Sequence, residues 1–297
     1  MNGILNVYKE RDFTSHDVVA KLRGICRQKK IGHTGTLDPQ AEGVLPVCLG
    51  NATKLCDLLT DKSKVYEAVL LLGKTTDTQD AFGKVLAETE VLVSEADVIE
   101  AIQSFVGEYD QIPPMYSALK VNGKKLYELA RQGVEIERQA RRVSITEITI
   151  LEVCLPRVRM RVSCSKGTYI RTLCHDIGQR LHTGGIMESL LRTRVGMFTL
   201  ENSLRLGEIE AMMAQGSLEQ TLIKTDSVFD AYERVFTKEE TDRLLYNGNI
   251  FSESGASFVP QERAFVRVYD SKGVFAGIYE YEKDRRRFKP CQMFLES

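Results

Sequence analysis

Tryptophan is absent from the chain, histidine occurs only four times, and seven cysteines are scattered at positions 26, 48, 56, 154, 164, 174 and 291. No CxxC pair exists among them, so a structural zinc site is not expected, and reduced, mostly buried thiols are. The histidines, His16, His33, His175 and His182, show no HxxxH spacing, which speaks against a histidine-rich metal site. Long apolar runs are missing as well: Ala68-Val69-Leu70-Leu71-Leu72 falls far short of the roughly 20 residues of a spanning helix. The N-terminal MNGILNVYKERDF lacks a basic flank followed by an apolar stretch, so no signal peptide is expected and a cytoplasmic protein is the default. Neither charge sign dominates, with 40 Lys and Arg against 41 Asp and Glu. That balance alone speaks against a nucleic-acid binder. What remains, 297 residues with 43% hydrophobic and 27% charged, is an ordinary soluble globular composition. On a soft prior of roughly 150 residues per domain it suffices for two.

Net charge hides its distribution. Residues 77–110 hold nine acids against the single Lys84, whereas residues 157–205 hold nine Lys and Arg against Asp176, Glu188 and Glu201. Residues 120–142 hold seven basic residues against three acids. Such segregation can present one basic face on a nearly neutral chain, although a charge run can equally be a solvated surface.

Periodicity gives mixed strands and helices. Gly3–Tyr8 reads as a strand, and Thr14 with Asp17 as a capping box opening a helix that buries Val18, Leu22 and Ile25. The stretch from Gly32 to Gly43 has no periodicity and reads as a loop. Val44–Leu49 reads as a short strand whose Pro46 predicts an edge or a bulge. Thr53–Leu59 reads as helical. Around Tyr66 the chain is apolar on nearly both faces, which predicts a central strand. Ser94 with Asp97 forms a second capping box. In Arg157–Cys164, Val158, Met160, Val162 and Cys164 alternate with arginines, predicting one buried and one cationic face. A helix carrying Ile170, Leu173, Cys174, Ile177 and Leu181 inward follows. From about Thr237, paired with Glu240 as a helix opening, short strands at Ala264–Tyr269 and Val274–Tyr281 flank a turn. A boundary near 235 therefore divides units 1–235 and 236–297. Without regular βαβ alternation, the class is α+β with much antiparallel pairing.

The stretch Lys30–Lys54 packs His33, Thr34, Thr36, Asp38 and Glu42 among glycines. Pro39 biases Asp38 toward extended backbone, so Asp38 is either a presented carboxylate or a turn residue bonding nearby amides. The stretch lacks GxxxxGK[ST] and GxGxxG, and the chain lacks a GxSxG elbow, so phosphate cradling and serine hydrolysis have no support.

The segment GHTGTLDPQAEGVLPVCLGNATK closely resembles the catalytic segment of the TruB family of tRNA pseudouridine synthases. The likeness continues in order through KVYEA (Lys64–Ala68), GKTTDTQDAFG (Gly73–Gly83), QIPPMYSALKVNGKKLYELARQG (Gln111–Gly133), SKGTYIRTLCHDIG (Ser165–Gly178) and LLRTRVG (Leu190–Gly196). The resemblance implies the pseudouridine synthase fold: a mixed, largely antiparallel sheet flanked by helices, with a small C-terminal PUA-like β domain. It also implies isomerisation of uridine 55 in the tRNA T-loop without cofactor or metal. A guide-dependent synthase of the dyskerin type shares these motifs, but the short chain and lack of basic tails argue against it, so a stand-alone enzyme without guide RNA or membrane, and a monomer, is expected.

By the same resemblance Asp38 is the nucleophile, Arg171 its paired arginine, and Tyr66 the active-site tyrosine and candidate base at C5. Tyr169 and Leu190 match positions lining the nucleotide pocket. His33 matches the histidine that fills the space left by the flipped base, with an Nδ1-bonded loop organiser as the competing reading. The chain departs from the family at Glu10 and Asp12, where KPxGxTS becomes KERDFTS beside Lys9, and at Leu191, where an arginine is common. Lys283, Arg285, Arg286, Arg287 and Lys289 suit phosphate contacts or a solvated basic run.

Overall fold

A computed structural model describes residues 1–121 and 123–295. Asn122, within the Gln111–Gly133 resemblance, and Glu296 and Ser297, at the end of the expected second unit, lie outside these residues. The strands that build the main sheet are β1 (Gly3–Lys9), β2 (Ile31–His33), β3 (Glu42–Leu49), β4 (Lys64–Leu72), β5 (Gly107–Gln111), β6 (Arg141–Cys154), β7 (Arg157–Cys164), β8 (Gly185–Val195) and β9 (Phe198–Thr199). They form a nine-stranded sheet in the order β1-β3-β8-β4-β7-β6-β5, with β2 on β3 and β9 on β8. Every pairing is antiparallel except β8 with β3, where Leu191 and Arg192 face Glu42 and Gly43 in parallel register.

β4 is central, as its two apolar faces require. Its neighbours are β8 and β7, and Tyr66 lies opposite Arg192 on one side and Val162 on the other. The alternation in β7 buries Val158, Met160, Val162 and Cys164 against the helices α2 (Glu95–Gln103) and α3 (Ile170–Arg180), through Val98, Ile102, Leu173 and Ile177. Its opposite face differs from the cationic surface expected. Arg157 is paired with Glu188 at 2.8 Å, and Arg159 and Arg161 share Glu67 at 2.7 Å each, because the adjacent β4 places Glu67 opposite Arg161 and Glu188 reaches Arg157 from β8 across β4.

Helix α1 (Ser15–Ile25) carries the expected capping box, with Thr14 and Asp17 exchanging hydrogen bonds, and packs Val18 and Leu22 on Val7 and Val47. Ser94 and Asp97 cap α2 in the same way. Pro46 is a correction. β3 is an interior strand, and the proline is tolerated because its side of the ladder faces the end of β2, where only its carbonyl is used, accepting from Thr34 N at 3.1 Å.

A second, five-stranded sheet joins Glu233–Phe236, Ala264–Tyr269, Phe275–Glu282, Arg287–Met293 and Phe251–Ser252 in that order. The helix Glu239–Tyr246 follows the first of these strands and starts from Lys238, not from a Thr237 cap. Thr237 Oγ1 instead donates to Asp242 at 2.5 Å, which removes it from the helix terminus. Ile278 and Phe294 of this region pack with Ile4, Val44 and Phe229 of the main body. Among the described residues no helix is long and apolar enough to cross a membrane.

Candidate active site

The loop between β2 and β3 is fastened on both sides of Asp38. Leu37 N donates to the buried Ser15 Oγ at 2.9 Å, which ties the loop to the start of α1. On the other side, the Pro39 carbonyl accepts from Lys9 Nζ at 3.1 Å and from Asp12 N at 2.9 Å. Lys9 is fully buried and spends its other donors on the carbonyls of Glu10 and Phe13. Burial lowers its amine to about 8, against the pull of Asp38 and Glu42. Asp12 adopts φ 69°, the left-handed conformation for which glycine is suited and aspartate is among the better substitutes. At the departure Glu10/Asp12, Asp12 thus takes a backbone conformation that suits the glycine of the KPxGxTS pattern.

Among the described residues no amide of the loop bonds the Asp38 carboxylate; only its backbone carbonyl accepts, from Ala41 N at 3.1 Å. Arg171 Nη2 donates to its Oδ1 at 3.2 Å, and Arg171 Nε lies 3.1 Å from its Oδ2. The arginine stands on the first turn of α3, where the apolar stripe of that helix faces the sheet and turns its guanidinium inward; its side chain is only 6% exposed. Its remaining donors meet Tyr116 O at 3.0 Å and Thr78 O at 3.4 Å, and Asp80 lies at 3.6 Å. Asp38 keeps 35% of its side chain open, so the pair sits below a mouth rather than in a sealed core. Protein crowds the carboxyl on the remaining sides and raises it above its ordinary 3.8; Arg171 gives the largest opposing pull, while Asp80 adds to the rise.

Tyr66 and Leu190 lie on β4 and β8 and are both buried. Burial pushes the Tyr66 phenol up to about 12, against the adjacent Arg192. Tyr169 caps α3, where its N–H donates to Gln111 Oε1 at 2.8 Å and its carbonyl accepts from Gln111 Nε2 at 3.0 Å. His33 sits at the end of β2 with its ring edge-on to His16, centroids 5.3 Å apart. Its Nδ1 is buried without a hydrogen-bond partner, so the bond that a loop organiser would use is not made. Burial, with repulsion from His16 and Arg192, pushes the imidazole down to about 4.

Two site residues were not singled out from the sequence. Asp80 comes from an acidic loop that reads as solvated surface. Arg192 is 1% exposed and donates to Val44 O at 2.7 Å and Gly35 O at 3.2 Å. Gly43 permits this close approach: with φ 107°, a Cβ there would fall 2.2 Å from the Arg192 carbonyl. The usable signal was phase, since Arg192 follows the buried Leu190 by two residues on one strand face. Among the described residues no group of three His, Cys, Asp or Glu could hold a metal ion. The arrangement can present a carboxylate beside a fixed guanidinium, with a phenol and a second guanidinium behind it, to a group entering through the mouth.

Residues 23–170 match the profile of the TruB family pseudouridylate synthase N-terminal domain, and residues 171–236 that of the tRNA pseudouridylate synthase B C-terminal domain. The tRNA pseudouridine synthase B of Lachnoclostridium phytofermentans is 57% identical over 99% of this chain and all of its own length. That of Clostridium perfringens strain 13 is 43% identical over the full length of both chains. Among solved structures, a Cbf5-Nop10-Gar1 complex matches with a TM-score of 0.72 and 26% identity, over 99% of this chain and 85% of the other. An H/ACA RNP bound to a substrate RNA containing 2′-deoxyuridine matches at 0.71 and 23% over the same shares, a likeness of fold. The chain belongs to the TruB family of pseudouridylate synthases.

Proposed function

We propose that the chain isomerises uridine 55 in the T-loop of tRNA to pseudouridine, acting alone, as a cytoplasmic monomer, without cofactor or metal. One observation carries the reading: a carboxylate at the floor of an open site, held on both oxygens by a buried arginine. Relatives matching the full chain bear the name tRNA pseudouridine synthase B.

The chemistry follows from the bond to be broken. Cleaving C1′–N1 sends the electron pair into the uracil and leaves oxocarbenium character at C1′, the charge that a carboxylate meets in retaining glycosidases. Asp38 either adds to C1′ or assists formation of a glycal. The uracil then turns within the pocket lined by Tyr169 and Leu190, and its C5 bonds to C1′ as Asp38 is released. Tyr66 gives its phenol proton to N1 of the rebonded ring and, as the phenolate, takes the proton left on C5, so the tyrosine ends as it began. His33 takes the place of the extruded base in the T-loop stack and offsets part of the cost of flipping, a few kcal/mol. Arg171 counters the effect of enclosure on Asp38, so that an anion persists beside the sugar.

The second unit, residues 236–297, adds RNA contact through its basic run. There Lys283, Arg286 and Arg287 are paired with Glu262, Glu253 and Glu282, and exposed pairs of this kind contribute little and exchange readily for phosphate. The test is purified protein with an unmodified T-arm transcript and no other RNA. Pseudouridine at the T-loop position supports the proposal; a requirement for an added guide RNA, or binding without product, contradicts it.

A further inference from the structure

We infer that Arg192 is a positioning residue for Tyr66, a built-in counter-ion for the phenolate form in which the tyrosine takes the proton from C5. The inference rests on the proposed role of Tyr66 as that base.

Three observations carry it. Arg192 is buried to 1% exposure, yet among the described residues no carboxylate lies within ion-pair distance of it. Buried cations are ordinarily paired, because desolvating an unpaired charge is costly. Its hydrogen bonds to Val44 O and Gly35 O satisfy donors without neutralising charge. Secondly, Arg192 and Tyr66 are direct cross-strand partners on one face of the sheet, both buried, so that the guanidinium's charge favours the ionised form of the Tyr66 hydroxyl. Thirdly, the guanidinium is fixed by two carbonyls and by the glycine that lets β3 and β8 close up, so its charge needs no rearrangement when the phenol ionises.

The surrounding charges leave Arg192 as the nearest compensation. Tyr66 is also faced by Cys164 from β7 and by Asp38 from the loop, and both disfavour a phenolate. Lys9 from β1 and Lys64 from β4 lie near Arg192 but spend their donors on backbone carbonyls. His33 is held neutral by its surroundings.

The test separates this pairing from the reaction itself. The chain is labelled with 3-fluorotyrosine, and the Tyr66 resonance among the 11 tyrosines is assigned by its loss in Tyr66→Phe. In the neutral variants Arg192→Gln and Arg192→Met, whichever keeps the wild-type circular dichroism, the Tyr66 midpoint rises by about one pH unit or more. That is a tenfold smaller phenolate fraction at a given pH. Arg192→Lys, which keeps a buried cation, holds the midpoint within about half a unit. An unchanged midpoint in a folded neutral variant, or an equal rise in Arg192→Lys, overturns the inference. Full turnover by Tyr66→Phe would instead remove the base role, whatever the titration shows.

Discussion

Arg171 holds both oxygens of Asp38, Nη2 bonding Oδ1 at 3.2 Å and Nε lying 3.1 Å from Oδ2, across 133 residues of sequence. A lysine keeps the charge but cannot span two oxygens and two backbone carbonyls at once. Losing one charge-assisted hydrogen bond costs about 1.5–3 kcal/mol, so Arg171→Lys should slow single-turnover conversion by roughly 10- to 100-fold. Affinity for the RNA should change little. A near-wild-type single-turnover rate would remove Arg171 from the mechanism.

Enclosure raises the Asp38 carboxyl above 3.8, so its anion is lost on acidification earlier than that of an ordinary aspartate. The acidic limb of the kcat/KM profile should therefore lie above the ordinary carboxylate range, and Arg171→Gln should move it higher still. The linked effect on stability has the opposite sign. Between the ordinary and the raised value, the native state holds a proton that the unfolded chain has released, so stability falls as pH rises through that window. Asp38→Asn should thus have a higher Tm than wild type at pH 7, a gain that disappears below the ordinary carboxylate value. His33, pushed down to about 4, should add no inflection between pH 5 and 8.

Tyr66 is a protonated phenol in the free protein at neutral pH, pushed up to about 12. Removing its hydroxyl should leave binding within a few-fold of wild type and block the step after C5 bonds to C1′. Quench-flow with Tyr66→Phe should show substrate consumed and product withheld. Equal multiple turnover by both proteins would sink the base role.

Asp12 carries the left-handed backbone of a turn whose amide bonds the Pro39 carbonyl. Asp12→Gly should match or exceed wild-type stability, within about 1 kcal/mol, with unchanged activity. Asp12→Val should cost about 1–3 kcal/mol and slow the reaction, because a β-branched residue is strained there and the carbonyl it helps to hold belongs to Pro39, the residue after Asp38. Denaturant midpoints and single-turnover rates decide both.

The fold was readable wherever one phase persisted. β7 and α3 keep their alternation and stripe over whole elements, and both capping boxes form as written. β8 keeps its alternation only from Ser189 to Thr193, because register shifts between Met187 and Ser189 and between Arg192 and Arg194 reset it on either side, and so short a stretch does not stand out. For that reason Arg192 was not recognised as buried. Pro46 misled because a local rule cannot tell that β2 stops beside it. The pairing of Asp38 with Arg171 came from motif resemblance alone; position in the chain says nothing of a contact made through the stacking of α3 on the sheet. Asp80 was hidden in an acidic run whose other members are solvated.

The most direct measurement is pseudouridine formation at position 55 of an unmodified tRNA transcript under single-turnover conditions, comparing wild type with Asp38→Asn. Asparagine preserves shape and removes the charge. Conversion at position 55 by wild type, with loss of conversion in a folded Asp38→Asn that still binds the transcript, is the predicted result. Conversion by Asp38→Asn at a rate close to wild type would contradict the role given to that carboxylate.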